Sequence, residues 1–405
     1  MNCGLLGRTL KHSYSPQIHT YLGNYPYVLF EKEQEELSDF FQNEPFTGLN
    51  VTIPYKKDVI PFCKELTDCA RKLGAVNTIV RQSDGTLIGH NTDYFGLQST
   101  IQRMGLIPEG KKTLILGSGG ASVTAVAVLK EMGAHVVIIS RSGENNYNNL
   151  HLHKDAAIIV NTTPVGMYPN TGISPIDLDL FEHLEGVLDI IYNPARTQLL
   201  LDAEKRGIST ENGLWMLVAQ AKESAEWFTG SVIPDDKIGY IHQKLRLQME
   251  NIILIGMPGC GKSTVGKLLA KELGKQFIDA DSEIVKAAQM PIPELFEKYG
   301  EEVFRHWETK VLGEIGKQSG LVIATGGGCV TRKENYPLLH QNGTLYWIQR
   351  DIDSLSLEGR PLSKAGHLEQ MYEIRRPMYE RFSDLCITND DTPEKTVERI
   401  MKRMM

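Results

Sequence analysis

The chain has 405 residues, a formal charge of −7, and 41% apolar against 23% charged side chains, a globular composition too long for one ordinary core, so two to three domains are expected. The negative balance argues against nucleic acid as a partner, which would need a basic surface, and leaves any anionic ligand to be met by local cations or backbone amides. No apolar run is long enough to span a bilayer, so small molecules rather than a membrane are the expected partners. The N-terminal MNCGLLGRTLKHS lacks the apolar stretch of a signal peptide, and Cys3, Cys63, Cys69, Cys260, Cys329 and Cys386 contain no CxxC pair. Free thiols in a reducing cytoplasm are therefore expected. His151 and His153 form an HxH with no third ligand nearby, and no metal site is expected there.

Residues 1 to about 95 alternate short apolar runs, YPYVLF (25–30) and GLNVTIP (48–54), with polar helical pieces. From 111, KKTLILGSGG is a buried strand running into a glycine turn, ASVTAVAVLKEMG a helix ending at Gly133, and HVVIIS a second buried strand. That βαβ unit implies a parallel sheet with a right-handed crossover. Strands follow at AAIIVN (156–161) and GVLDIIY (186–192), then a polar helical tail to about 248. NIILIGMPG (251–259) opens a fresh strand, which puts the main boundary at 249 or 250.

GSGGAS (117–122) follows a strand and opens a helix, the context in which glycines let backbone amides approach a pyrophosphate. The next strand ends Ser140-Arg141-Ser142, where an NAD-binding fold usually carries an acid; an arginine between hydroxyls suits a 2′-phosphate, although a solvated loop arginine is the plain alternative. HSYSP (12–16), NVTIPYKK (50–57), GAVNT with GHNTD (74–78, 89–93) and GLWMLVAQA (213–221) concentrate hydroxyls, amides, a lysine and an aspartate. Each has a structural reading, Asn and Thr as turn caps and Lys56 as a surface charge. Together they suit a polyhydroxylated carboxylate, with Lys56 and Asp93 as a proton-transfer pair.

These segments, with NTTPVGM (161–167) and DIIYNP (189–194), occur in an order that resembles shikimate dehydrogenase over residues 1–248. The resemblance implies an α/β substrate domain (about 1–95, with the helix near 220–248 returning to it) and a Rossmann-like NADP domain (about 96–219). It implies that Ser13 and Ser15 hold the substrate carboxylate. Thr52, Asn77, Asp93 and Gln220 surround the ring hydroxyls with Tyr192 close by, and Lys56 and Asp93 are catalytic. NADP(H) falls to Asp68, Gly117, Ser118, Gly119, Gly120, Ala121, Ser140, Arg141, Ile190 and Gly213. Alternatives are an NAD(H)-using quinate/shikimate dehydrogenase or a non-catalytic homologue; the missing acid speaks against the first, and the presence of both Lys56 and Asp93 against the second.

GMPGCGKST (256–264) is a phosphate-binding loop: successive amides form an anion nest, Lys262 reaches terminal phosphates and Ser263 can ligate Mg²⁺. FIDADSE ends a strand with Asp279 and Asp281, which alternation places on one face of the strand or its extended end. VFRHWE puts Arg305 and Glu308 three apart on a helix, LVIATGGGCV is a buried strand ending in glycines, and EGRPLS and EIRRPMY add Arg360 and Arg375, with Arg376 competing for the role of Arg375. On these features alone a gluconate-type sugar kinase remains open. Together, DxD, FRxxE, TGGG, RPL and RxPMY behind this loop resemble shikimate kinase over 250–405, a nucleoside-monophosphate-kinase-like α/β fold. The resemblance gives ATP to Gly259, Cys260, Gly261, Lys262, Ser263, Thr264 and Arg360, and shikimate to Asp281, Arg305, Gly327 and Arg375. Lys262, Asp281 and Arg360 would be catalytic, and Mg²⁺ would sit on Ser263 with Asp279 acting through water. The segment bearing Arg360 is shorter than the family pattern, so a trimmed lid is expected. The product of the first half would then be the acceptor of the second, as in a fusion of consecutive enzymes.

Overall fold

A computed structural model describes residues 2–10, 13–355 and 365–404. The chain divides into two compact units, the first made of residues 1–164, 175–192 and 202–244 and the second of 165–174, 193–201 and 245–405. The sequence reading expects one cut at 249 or 250; the observed division is discontinuous. In the second unit, the Ala195 N–H donates to Asn342 Oδ1 and the Arg196 N–H to the Gln341 carbonyl, both at 2.8 Å, which ties 193–201 to the turn entering a strand of that unit.

The first unit holds two sheets. One is mixed, with β1 (Cys3–Gly7), β2 (Tyr27–Glu31), β3 (Gly48–Val51), β4 (Glu65–Leu66), β5 (Thr78–Arg81) and β6 (Leu87–His90) in the order β2-β1-β3-β5-β6-β4. β1 and β3 are buried along their length and pack Leu6, Leu49 and Val51 against Phe40, Phe41, Phe46 and Ile79. β2 lies at the sheet edge, and its apolar run leaves Val28 47% exposed. The other sheet is wholly parallel: β7 (Lys112–Leu116), β8 (His135–Ile139), β9 (Ile158–Asn161), β10 (Gly186–Asp189) and β11 (Ser209–Glu211), in the order β11-β10-β9-β7-β8. Strand order reverses beside β7, and a parallel sheet opens its ligand crevice at such a point, beyond the strand ends. The helix Gly213–Thr229 packs on β3, β5 and the helix Asp93–Arg103, so it returns to the first sheet; the helical stretch expected near 220–248 is two helices, broken after Thr229 and resuming as Asp236–Met249.

The second unit has one parallel sheet, β12 (Asn251–Ile255), β13 (Gln276–Asp279), β14 (Leu321–Ala324), β15 (Gly343–Gln349) and β16 (Leu385–Thr388), ordered β13-β14-β12-β15-β16. Ile252–Ile255, Val322, Ile323, Leu345 and Ile348 form its core with Val265 and Leu269 of the following helix. The switch point here is β12, and the phosphate-type loop leaves its end. Among the described residues no helix is long and apolar enough to cross a membrane.

Candidate active sites

In the first unit the turn after β3 delivers Lys56 and the helix Asp93–Arg103 opens on Asp93; Lys56 Nζ lies 2.5 Å from Asp93 Oδ2, with the side chains 30% and 18% exposed. The pair is sheltered yet reachable. The segment ahead of Asp93 is fixed by its own side chains: the Asp93 N–H donates to Asn91 Oδ1 at 3.1 Å and Asn91 Nδ2 to the Ala75 carbonyl at 3.0 Å. Asn77 is buried, accepting the Thr92 N–H at 2.8 Å and donating to Thr92 Oγ1 at 3.1 Å. Gln220 reaches the same group from the returning helix, 3.3 Å from Thr92 Oγ1. Thr52 closes the end of β3 with its N–H on the Leu6 carbonyl at 2.9 Å.

Ser13 and Ser15 flank the start of the helix Ser15–Leu22, with the Ser15 N–H on Ser13 Oγ at 3.2 Å. Tyr192 meets Tyr14 edge-on at 6.2 Å, and burial pushes its hydroxyl up, so it stays a donor. One turn beyond Ser15, His19 is buried, stacked on Tyr27 at 4.0 Å with Nδ1 2.7 Å from Tyr25 Oη. Burial depresses its pKa from 6.5 to about 3. Below pH 6.5 the unfolded chain takes up this proton and the folded chain does not, so stability falls as pH drops toward 3. Between pH 7 and pH 5 the loss should be about 2 kcal/mol. Denaturant melts at the two pH values check this. The non-titrating His19→Gln variant should lose about 2 kcal/mol less, and equal losses in both proteins would remove His19 as the cause.

The cofactor-type loop leaves β7 through Gly117, whose φ of 107° favours glycine. A Cβ on Gly119 or Gly120 would meet nothing within 4 Å, so the backbone that opens the helix Gly120–Glu131 can be approached closely on that side; Ser118 is exposed and Ala121 half-buried beside it. Ser140 leaves β8 with its N–H on the Asn145 carbonyl at 3.1 Å, and Arg141 is exposed with no ion pair among the described residues. Gly213 opens its helix so close to Ile190 that a Cβ would lie 1.9 Å from the Ile190 carbonyl oxygen, a contact only glycine permits. Asp68 is fully exposed and pairs with Arg71 at 2.7 Å. His153, half of the HxH, has Nε2 3.0 Å from Asn145 Oδ1, and among the described residues no group of three His, Cys, Asp or Glu could hold a metal.

The second unit contains a cleft of about 850 Å³ lined by Gly259, Gly261, Lys262, Ser263, Thr264, Asp279, Asp281, Arg305, Glu308, Gly327 and Arg375 among others. Lys262 Nζ rests on the carbonyls of Gly256 and Met257 at 2.8 and 2.9 Å, and Ser263 Oγ donates to Asp279 Oδ2 at 2.8 Å. Cys260 turns inward and is buried. Asp279 and Asp281 are not alternate residues of one extended strand: β13 ends at Asp279, which caps the helix Ala280–Ala288 by accepting the Ser282 N–H, and Asp281 sits in its first turn. A cap oxygen satisfies a free helix amide, which the strand reading overlooked. Arg305 donates to Glu308 Oε2 at 2.8 Å, and burial pushes the Glu308 carboxyl up against the opposing pull of Arg305. Arg375 points at the Gly327 carbonyl (3.2 Å), whereas Arg376 faces outward onto Glu380. Arg360 and its RPLS segment lie outside the described residues.

Some site-building residues escape the motifs or their assigned roles. Asn389 lies outside every motif; it donates to the Cys260 carbonyl at 2.7 Å and lies where a Cβ on Gly261 (φ 95°) would have to go. Tyr379 closes the EIRRPMY segment, and its Oη donates to the Gly327 carbonyl at 2.5 Å. In the first unit, Asn50, Thr78, Thr92 and Ser224 form a buried floor; the first three lie in the quoted segments, and nothing in sequence singled out Ser224.

Residues 5–79 match the family model for the shikimate dehydrogenase substrate binding domain, and 258–405 match that for shikimate kinase. A shikimate dehydrogenase (NADP(+)) of Caldicellulosiruptor bescii is 37% identical over 256 residues, 55% of this chain and 88% of that protein. The chain belongs to the shikimate dehydrogenase family. Another member, from Methanococcus maripaludis, is 38% identical and covers 60% of this chain and 97% of its own length. Among solved structures, shikimate dehydrogenase 1 of Peptoclostridium difficile is 34% identical with a TM-score of 0.56, covering 60% of this chain and 97% of its own. A chorismate mutase/shikimate 5-dehydrogenase fusion from Clostridium acetobutylicum gives 34% and 0.57, covering 60% and 96%. With a shikimate kinase domain behind its dehydrogenase part, the chain is a bifunctional enzyme, an NADP-type oxidoreductase joined to a kinase.

Proposed function

We propose that residues 1–249 reduce 3-dehydroshikimate to shikimate with NADPH, and that 250–405 phosphorylate shikimate at its 3-hydroxyl with Mg-ATP. The observation that carries the first step is the Lys56–Asp93 pair at 2.5 Å above a floor of buried amides and hydroxyls. NADPH, when bound, supplies the hydride. Lys56 stabilises the charge growing on the ketone oxygen and hands it a proton, while Asp93 aims the ammonium and bonds the neighbouring hydroxyl. Ser13 and Ser15 hold the carboxylate, Thr52, Asn77 and Gln220 the ring hydroxyls, and Tyr192 closes the site. The amides and side chains of 117–121 take the pyrophosphate, Ser140 and the exposed Arg141 the 2′-phosphate, and Asp68, Ile190 and Gly213 border the cofactor.

In the second unit, Ser263 and Asp279 already lie together, 2.8 Å apart, where a hard cation takes oxygen ligands. Mg²⁺ held there, with Asp279 acting through water, would neutralise charge on the transferring phosphate. Lys262 and the amides of Gly259–Thr264 cradle the nucleotide, helped by Arg360. Arg305, Arg375 and the Gly327 N–H hold shikimate while Asp281 takes the proton of its 3-hydroxyl.

A single reaction of the purified chain with 3-dehydroshikimate, NADPH and Mg-ATP, followed by mass, tests both halves. Shikimate 3-phosphate is expected, appearing as NADPH is consumed. Shikimate accumulating unphosphorylated would sink the kinase half, and equal turnover with NADH would sink the role given to Arg141.

A further inference from the structure

Along the helix Gly213–Thr229, residues Gln220, Glu223, Ser224 and Trp227 follow the i, i+3, i+4, i+7 spacing that puts side chains on one face. A helix face laid on a sheet is ordinarily apolar. This one is largely polar, and it meets the segment leading to Asp93. Trp227 stacks on the His90 ring at 4.5 Å, and Glu223 Oε1 lies 3.2 Å from His90 Nε2. Ser224, fully buried, has Oγ 2.8 Å from Asn50 Nδ2, 2.9 Å from Thr78 Oγ1 and 3.0 Å from Thr92 Oγ1, and donates to the Gln220 carbonyl at 3.0 Å.

A serine hydroxyl has one proton and two lone pairs. With its proton on the Gln220 carbonyl, Ser224 is left as acceptor for Asn50 and for a threonine. The orientation of Gln220 follows from the same network. Its side chain lies 2.8 Å from the Leu217 carbonyl, a contact only the NH₂ end can make, so Oε1 is the atom facing the Thr92 hydroxyl at 3.3 Å. The second N–H of Gln220 is then what it can offer a ligand. Asn77 is held from the other side, its Oδ1 accepting both the Thr92 N–H at 2.8 Å and the Thr78 hydroxyl at 3.0 Å.

We propose that Ser224 is a positioning residue of the dehydrogenase site, locking the returning helix to β3 and β5 so that Gln220 presents an N–H donor, and Asn77 a fixed amide, to the substrate ring hydroxyls. The proposal rests on the dehydrogenase reading above. Ser224 touches no substrate; it acts through Gln220 and Asn77, by way of Thr92 and Thr78. Its loss should therefore register on substrate and not on cofactor.

The test uses the full chain oxidising shikimate with NADP⁺. Ser224→Ala should raise the KM for shikimate about tenfold and leave the KM for NADP⁺ within about twofold. Because Ser224 works through Gln220, adding Ser224→Ala to Gln220→Ala should cost much less than it does in the wild-type background. A lowered melting temperature with both KM values unchanged, or both raised alike, or an additive double variant, would overturn the proposal. If Ser224→Ala does not fold, Thr92→Val, which keeps the branched shape and removes the bridging hydroxyl, must give the same selective rise; an unchanged shikimate KM there overturns it too. A wild-type chain that does not oxidise shikimate with NADP⁺ would instead overturn the dehydrogenase reading, and this proposal with it.

Discussion

Lys56→Met is expected to lower kcat for shikimate oxidation about 10³-fold while the KM for shikimate changes little. The side chain keeps its unbranched shape, one atom shorter, and loses its charge and its proton. In the reducing direction the charge that the ammonium meets exists chiefly in the transition state, so its removal acts on kcat; a group that merely bound substrate would act on KM. Lys56→Arg sharpens the test. It retains a cation beside Asp93, whose oxygen lies 2.5 Å from Nζ in the native chain, but a guanidinium does not give up its proton in this pH range. Arginine should thus restore part of the electrostatic contribution and little of the proton transfer, leaving a rate between those of methionine and lysine. Kinase turnover by the same preparations should be unaffected, which separates a chemical defect from a folding one. A Lys56→Met enzyme within tenfold of wild type would remove Lys56 from the chemistry.

What sequence could show of this site depended on distance along the chain. The strands around 112–116 and 251–255 are buried apolar runs that end in glycine turns, and their composition finds them. Arg305 and Glu308 are three apart on a helix, and their bond follows from that spacing. Ser224 is 174 residues from Asn50 and 132 from Thr92, and Asn389 is 129 from the Cys260 carbonyl it holds. Such pairings follow from tertiary packing, which no local pattern records. Asp279 and Asp281 failed for another reason. Alternation reads the acids as strand residues, yet Asp279-Ala280-Asp281-Ser282 is also a helix start, with the first acid bonded to the amide three residues on. The apolar run at β8 misleads in the opposite direction: read as a buried strand, it is an edge strand that buries Ile139 and leaves Ile138 41% exposed.

Asp281→Asn should lower kcat of the kinase by about 10²- to 10³-fold with the KM for ATP nearly unchanged and dehydrogenase activity intact. Asparagine keeps the shape of the side chain in the first turn of its helix and cannot accept the proton of the attacking hydroxyl. The surroundings make the fold's response predictable as well. A Cβ on Gly326 would lie 2.8 Å from Asp281 Oδ1 and 2.9 Å from Glu308 Oε1, so two carboxylates crowd the same stretch of backbone. Asp281 is one of the groups pushing the buried Glu308 carboxyl up, while Arg305 pulls it down. Removing the Asp281 charge relieves like-charge repulsion and leaves Arg305 to Glu308, so the variant should melt no lower than wild type. Lost turnover with retained or raised melting temperature is the signature of a group kept for chemistry at some cost to stability. A variant that loses turnover only in proportion to a fall in melting temperature would make Asp281 a structural residue of the helix start and leave the proton acceptor to be found elsewhere in the cleft.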